Sequence, residues 1–185
     1  MSSSHSRLIE DFRDLLVTAG TLAPVLDLAC GEGRNGIYLN QHGVPVVFAD
    51  RSQTALGCVS DKLEQQPADP DGCANELWCV DFETAASEPL AQRNFGAIVV
   101  FRYLHRPLMR SIRDAILPGG VVVYETFTVG QAALGRPQNP DFLLQPKELA
   151  QTFADWDIVH LFEGVVDTPS GTQQAIAQLV AIKPG

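Results

Sequence analysis

Three glycines recur as Gly31-x-Gly33-x-x-Gly36, after a short apolar run from Val25 to Ala29 and just before a stretch of helical character opening at Arg34. A strand, a glycine loop and a helix in that order let a backbone approach a ligand closely, and the helix start offers free N–H groups. Asp50 closes the next apolar run, where its carboxylate can accept both hydroxyls of an adenosine ribose. On these residues alone NAD, FAD and S-adenosylmethionine fit equally.

Two further features separate the three. Asp27 stands inside the first apolar run, upstream of the glycines. A phosphate-binding loop gains nothing from a carboxylate there, whereas a ligand carrying an ammonium and a sulfonium does. Asp81-Phe82 ends the third run: the carboxylate can accept from an adenine amino group and the ring can cover the base. The expected cofactor is therefore S-adenosylmethionine. Each position also has an ordinary structural use. Asp27 can cap a backbone N–H, Asp50 and Asp81 can close turns, and Arg34 and Asn35 can be plain first-turn residues.

The elements that must hold these residues follow from periodicity. Leu8, Ile9, Phe12, Leu15, Leu16 and Ala19 recur at helical spacing over residues 1–20, and Gly20 ends that helix. Strands are expected at Val25–Ala29, Val44–Ala49, Glu76–Val80, Ala97–Phe101, Val121–Thr126, Ile158–Phe162 and Ala175–Ile182. Helices are expected over Arg34–His42, from the cap Ser52 to Gln66, over Pro107–Leu117 and near Lys147–Phe153. Pro67–Asn75 reads as a surface loop, Pro118-Gly119-Gly120 as a turn, and residues 128–146 as a lid with Gly130 and Gly135 as hinges. Alternating strands and helices imply a parallel sheet covered on both faces. Two final strands joined by a short turn imply one antiparallel partner.

Length and composition allow a single domain over residues 1–185. The net charge of -9 disfavours nucleic acid and anionic membrane surfaces as partners. Cys30, Cys58, Cys73 and Cys79 form no metal-ligand pattern and read as reduced thiols. No metal site is expected. With neither a signal peptide nor an apolar stretch of membrane-spanning length, a cytoplasmic protein is expected, as a monomer or homodimer.

In combination these motifs resemble the class I (Rossmann-like) S-adenosylmethionine-dependent methyltransferases. Asp27-Leu-Ala-Cys-Gly-Glu-Gly33 is similar to their motif I, Asp50 to motif II, Asp81-Phe82 to motif III and Phe95–Phe101 to motif IV. Leu117-Pro-Gly-Gly-Val-Val-Val-Tyr124 is similar to the turn and strand that follow. The small bacterial branch of tellurite-resistance and thiopurine methyltransferases is the nearest in character. The resemblance implies an α/β fold: a doubly wound, seven-stranded, mostly parallel sheet with an antiparallel last strand, in three α/β/α layers. It implies cofactor contacts at Asp27, Ala29, Gly31, Gly33, Arg34, Asn35, Asp50, Arg51, Asp81, Phe82 and Phe101.

The methyl acceptor belongs beyond the ends of the fourth and fifth strands. There Arg102, Tyr103, His105 and Arg106 follow one strand, and Glu125 lies near the end of the other. His105 is the natural general base, with Glu125 and Tyr103 as further catalytic candidates. His105 can equally orient the next helix, and Glu125 can equally pair with an arginine. Arg102, Tyr103, Arg106, Arg136 and Phe142 are the substrate-binding candidates, the two strand-end arginines suiting an anionic group or a pairing with Glu125. A sulfonium is already an activated leaving group, so alignment supplies much of the rate. The expected activity is methyl transfer to a small molecule. RNA or protein methylation and a non-catalytic cofactor-binding role are the alternatives.

Overall fold

A computed structural model describes residues 5–66, 74–84 and 88–185. Cys73 and most of the expected loop at Pro67–Asn75 lie outside them. Seven strands form one sheet: β1 (Val25–Leu28), β2 (Val46–Asp50), β3 (Glu76–Cys79), β4 (Phe95–Phe101), β5 (Ile116–Phe127), β6 (Asp157–Asp167) and β7 (Gln173–Ile182). Their order is β3-β2-β1-β4-β5-β7-β6. The pairs among β1 to β5 are parallel, and β7 runs antiparallel to both β5 and β6.

Strand alternation divides the core into two layers. Val25, Phe48, Val99 and Val123 face α1 (Arg7–Asp11), α2 (Arg13–Gly20), α3 (Arg34–Asn40) and α4 (Gln53–Glu64). Leu26, Leu28, Ile98, Val100 and Tyr124 face α5 (Met109–Ala115) and α6 (Glu148–Thr152). β4 is buried along its whole length, which explains its unbroken apolar run. Ser52 caps α4 as expected, its Oγ accepting from Ala55 N at 3.2 Å. Among the described residues no helix is long and apolar enough to cross a membrane.

Two local expectations need correction. The first helix is two, broken at Phe12, whose ring meets that of His160 at 5.5 Å. The Pro118-Gly119-Gly120 turn is an irregularity within β5, where the register against β4 jumps. It is held by Gly119 N donating to Lys183 O and Lys183 N to Gly120 O.

Residues 128–146 are also fastened to the body, in short 3-10 turns at Val129–Ala133 and Pro140–Phe142. Leu144 N donates to Phe127 O, and Val129 N to Leu144 O. Buried Gln131 accepts from Ala175 N at 2.9 Å and donates to Arg136 O at 3.0 Å. Gly130 and Gly135, expected as hinges, lie within this bonded segment.

Candidate active site

The chain runs outward from β1 to β3 and then returns to β4, so the crossovers diverge between β1 and β4. Ligands bind at such a switch point, beyond the carboxyl ends of the strands. A cavity of about 220 Å³ lies there. Its walls are Ala29 after β1, Asp50 and Arg51 at β2, Val80 to Glu83 after β3, and Arg102 and Tyr103 after β4.

The glycine loop is built around two carboxylates. Asp27 points from β1 toward α3, where Oδ2 accepts from Gly36 N at 2.9 Å. It is 3% exposed, and burial pushes its pKa up to about 7 against the opposing pull of that N–H and of Arg34. Asp50 accepts from Gly31 N through Oδ2 and from Ser52 N through Oδ1, both at 2.8 Å. Each oxygen keeps a second lone pair for a ligand hydroxyl.

The glycines divide the remaining work. Gly31 has φ +55° and open space where a side chain would start. A Cβ on Gly36 would come within 2.4 Å of the Phe48 ring, and one on Gly33 within 2.8 Å of Val59. These two let α3 pack close to β2 and α4. Cys30, between the two aspartates, is held far above the usual thiol range by burial and by both carboxylates, which disfavours its thiolate.

At the other end of the cavity Asp81 accepts from Glu83 N at 2.9 Å, and Phe82 is buried edge-on to Trp78. The Tyr103 hydroxyl is shielded from solvent and sits beside the Glu83 carboxylate, too loosely placed for a well-formed hydrogen bond. Burial, with Glu83 and Asp81 acting on it, raises its pKa well above the ordinary phenol range. Tyr103 is thus a poor proton acceptor and a standing hydrogen-bond donor. Its backbone is pinned by Tyr124, whose hydroxyl donates to Tyr103 O at 3.0 Å.

Several expected site residues are placed elsewhere. Asn35 Oδ1 accepts from Ser6 N at 2.8 Å and so ties down the N-terminal segment. Phe101 belongs to the core facing α1 to α4. Arg34 lies outside the cavity walls and acts electrostatically on Asp27 and Arg102. His105 also lies outside them and precedes the turn at Arg106–Leu108 without a side-chain capping bond.

Arg106 clasps the 128–146 segment. It pairs with Glu148 at 2.7 Å and donates to Asp141 O and Leu143 O. Arg136 and Phe142 are exposed and outside the walls, the latter at 48%. Glu125 is buried and already bound, by Arg102 at 3.2 Å and by Gln178 Nε2 at 2.6 Å. Gln178 continues to His160 at 3.2 Å. Glu83 and Val80 are walls that sequence reasoning missed, although both flank the Asp81-Phe82 pair that it singled out.

The residues present fit S-adenosylmethionine. Asp50, with spare lone pairs, and Arg102, with Nη1 unpartnered, line one cavity with Tyr103, and Gly31, with open space where a side chain would start, is bonded to Asp50 beside it. Asp50 would hold the ribose, Asp81 and Phe82 the adenine, and Gly31 the approach of the amino-acid arm.

This sheet order with its cavity at the β1/β4 divergence is the class I methyltransferase fold. It is shared with the crystal structure of TehB from Haemophilus influenzae at a TM-score of 0.74 and 19% identity, covering 99% of this chain and 63% of that one. It is shared too with the glycopeptide N-methyltransferase MtfA complexed with S-adenosylmethionine, at a TM-score of 0.65 and 18% identity, over 99% and 88% of the two chains. The [4+2]-cyclase SpnF has the same fold, at a TM-score of 0.66 and 16% identity, over 99% of this chain and 83% of its own.

Residues 2–174 match the family described as "Tellurite resistance protein TehB", and the chain belongs to that family. Among curated relatives, "Hemagglutinin 1" of Eikenella corrodens is 28% identical over 89% of this chain and 52% of its own length. The probable S-adenosyl-L-methionine-dependent methyltransferase TehB of Haemophilus influenzae is 22% identical over 82% and 53%. The chain spans about half the length of the curated relatives it matches.

Proposed function

We propose that this protein is a methyltransferase that moves the methyl group of S-adenosylmethionine to a small-molecule acceptor. The observation that carries the reading is the cavity at the β1/β4 divergence, where Asp50, Asp81, Phe82 and Tyr103 converge from three strand ends. The cofactor supplies an activated methyl group when bound. The chain's own residues bind and orient. Asp50 fixes the ribose, Asp27 anchors the start of α3 beneath the glycine loop through Gly36 N, and Phe82 and Tyr103 shape the adenine end. The net charge of -9 favours a small acceptor over nucleic acid. Cys30, Cys58 and Cys79 stand as free thiols, which supports a cytoplasmic setting.

The fold alone does not set the chemistry. One observation favours a second reading, a cofactor-binding protein that does not methylate. Of the expected proton acceptors, Glu125 is bound within the fold and His105 stands outside the cavity walls. A thiol or another acceptor that needs no base reconciles this with methyl transfer. Calorimetric titration with S-adenosylhomocysteine tests the cavity; a folded sample that binds none overturns both readings. Label passing from methyl-labelled S-adenosylmethionine into a metabolite extract selects methyl transfer, and binding without transfer selects the second reading.

A further inference from the structure

The side chain of Arg102 has one half held by the fold and the other half free. We propose that Arg102 is an anion anchor, its Nη1 edge holding a carboxylate carried into the cavity by the cofactor or by the acceptor. The inference rests on the methyltransferase reading and deepens it.

The backbone is the first support. Arg102 follows β4 directly and has φ 58°, a left-handed conformation that is costly for a side-chain-bearing residue. Such strain persists where the surroundings over-determine it, and it gathers at ligand sites. Here the surroundings are specific. Arg102 N donates to Glu125 O at 2.8 Å. The guanidinium lies 4.5 Å from the Phe127 ring centre. Nη2 donates to Gln174 Oε1 at 2.9 Å and stands 3.2 Å from Glu125 Oε1. Glu125 is steadied from its other side by Gln178. Two strands, β5 and β7, therefore set one orientation of one guanidinium.

That orientation leaves Nη1 buried and without a hydrogen-bond partner. A guanidinium is a rigid fork of five donors matched to the two oxygens of a carboxylate. A buried charged donor left unpaired is costly, so its persistence in so constrained a group points to a ligand. Arg106 is the contrast, since its Nε, Nη1 and Nη2 all have partners within the protein. Of the two arginines that the sequence marks for an anion, only Arg102 lines the cavity and keeps a donor in reserve. Electrostatics agree. Burial lowers the pKa of Arg102 and the nearby Arg34 cation lowers it further, against Glu125. A bound anion relieves both pressures.

The test uses the full chain and Arg102→Lys, which keeps a cation opposite Glu125 and loses the fork. The double variant Arg102→Met/Glu125→Gln, which removes both charges, carries the same readout should the lysine variant melt early. Three probes are titrated by calorimetry: S-adenosylhomocysteine, 5′-methylthioadenosine (the same nucleoside without the amino-acid arm), and benzoate added to protein saturated with S-adenosylhomocysteine. If the cofactor supplies the carboxylate, the variant binds S-adenosylhomocysteine at least tenfold more weakly and methylthioadenosine unchanged. If the acceptor supplies it, both nucleosides bind as in the wild type and a benzoate signal present in the wild type disappears. A variant with wild-type melting temperature that matches the wild type toward all three probes overturns the proposal. Wild-type protein that binds neither nucleoside overturns the methyltransferase reading itself, and the anchor falls with it.

Discussion

Gly31 N donates to Asp50 Oδ2 at 2.8 Å, so the carboxylate suited to the ribose also holds the glycine loop in shape. Loop order and ligand binding are therefore coupled through one side chain. Asp50→Ala removes this bond and the one from Ser52 N, and should lower stability by about 1–3 kcal/mol. It should also weaken S-adenosylhomocysteine binding by tenfold or more. Asp50→Asn keeps an acceptor oxygen and should fall between. Thermal melts and calorimetry on the same samples check both effects. Undiminished affinity in Asp50→Ala would remove Asp50 from the site.

Asp27 gives the apoprotein a distinct pH dependence. Its pKa is pushed up to about 7 in the native state, against about 3.9 in an unfolded chain. Between those values the native state holds a proton that the unfolded state has lost. Stability from this group thus falls as pH rises across the window, and the full penalty applies above pH 7. Asp27→Asn carries no such charge. Its melting temperature relative to the wild type should climb between pH 4.5 and pH 7.5 in a fluorescence melt. A difference that stays flat across that range contradicts the assignment.

Ala29 lies in the cavity wall with φ 53°. The left-handed conformation is costly for alanine and free for glycine, although glycine loses more chain entropy on folding. Ala29→Gly should stabilise the protein by about 0.5–1 kcal/mol in denaturant melts. Ala29→Val should destabilise it, because a branched side chain suits this region worse.

Arg106 is expected to matter for the 128–146 segment and not for the cofactor. Arg106→Ala breaks the pair with Glu148 and the bonds to Asp141 O and Leu143 O. The pair is partly solvated, so the loss should be modest, about 1–2 kcal/mol. Limited proteolysis should then cut between Leu134 and Phe142 faster than in the wild type, with S-adenosylhomocysteine affinity unchanged. Equal cutting rates would mean that the segment is held mainly by Gln131 and Leu144.

The strand ends that wall the cavity were legible because their signals are local. Asp27, Asp50 and Asp81 each stand in or at the end of a short apolar run, and strand ends in a parallel sheet share one edge. The glycines needed only their spacing. The acceptor candidates, and Asn35 among the cofactor ones, were obscured by partners remote in the chain. Glu125 meets Gln178 across 53 positions, Arg106 meets Glu148 across 42, and Asn35 meets Ser6 N across 29. No local pattern announces such pairings, so residues that serve the fold look like free chemistry in the sequence. The break at Phe12 escaped for a similar reason, because a helical stripe does not reveal where a ring from β6 will meet it.

The chain of contacts from Arg102 through Glu125 and Gln178 to His160 crosses the sheet from the cavity to its outermost strand. It offers a remote readout of the proposed anchor. An anion on Nη1 should weaken the pull of the same guanidinium on Glu125, and the bonds beyond should respond. Nitrogen-15 resonances of the His160 imidazole should therefore shift when an anion settles in the cavity, although the ring touches no ligand. In Glu125→Gln the same titration should leave them still.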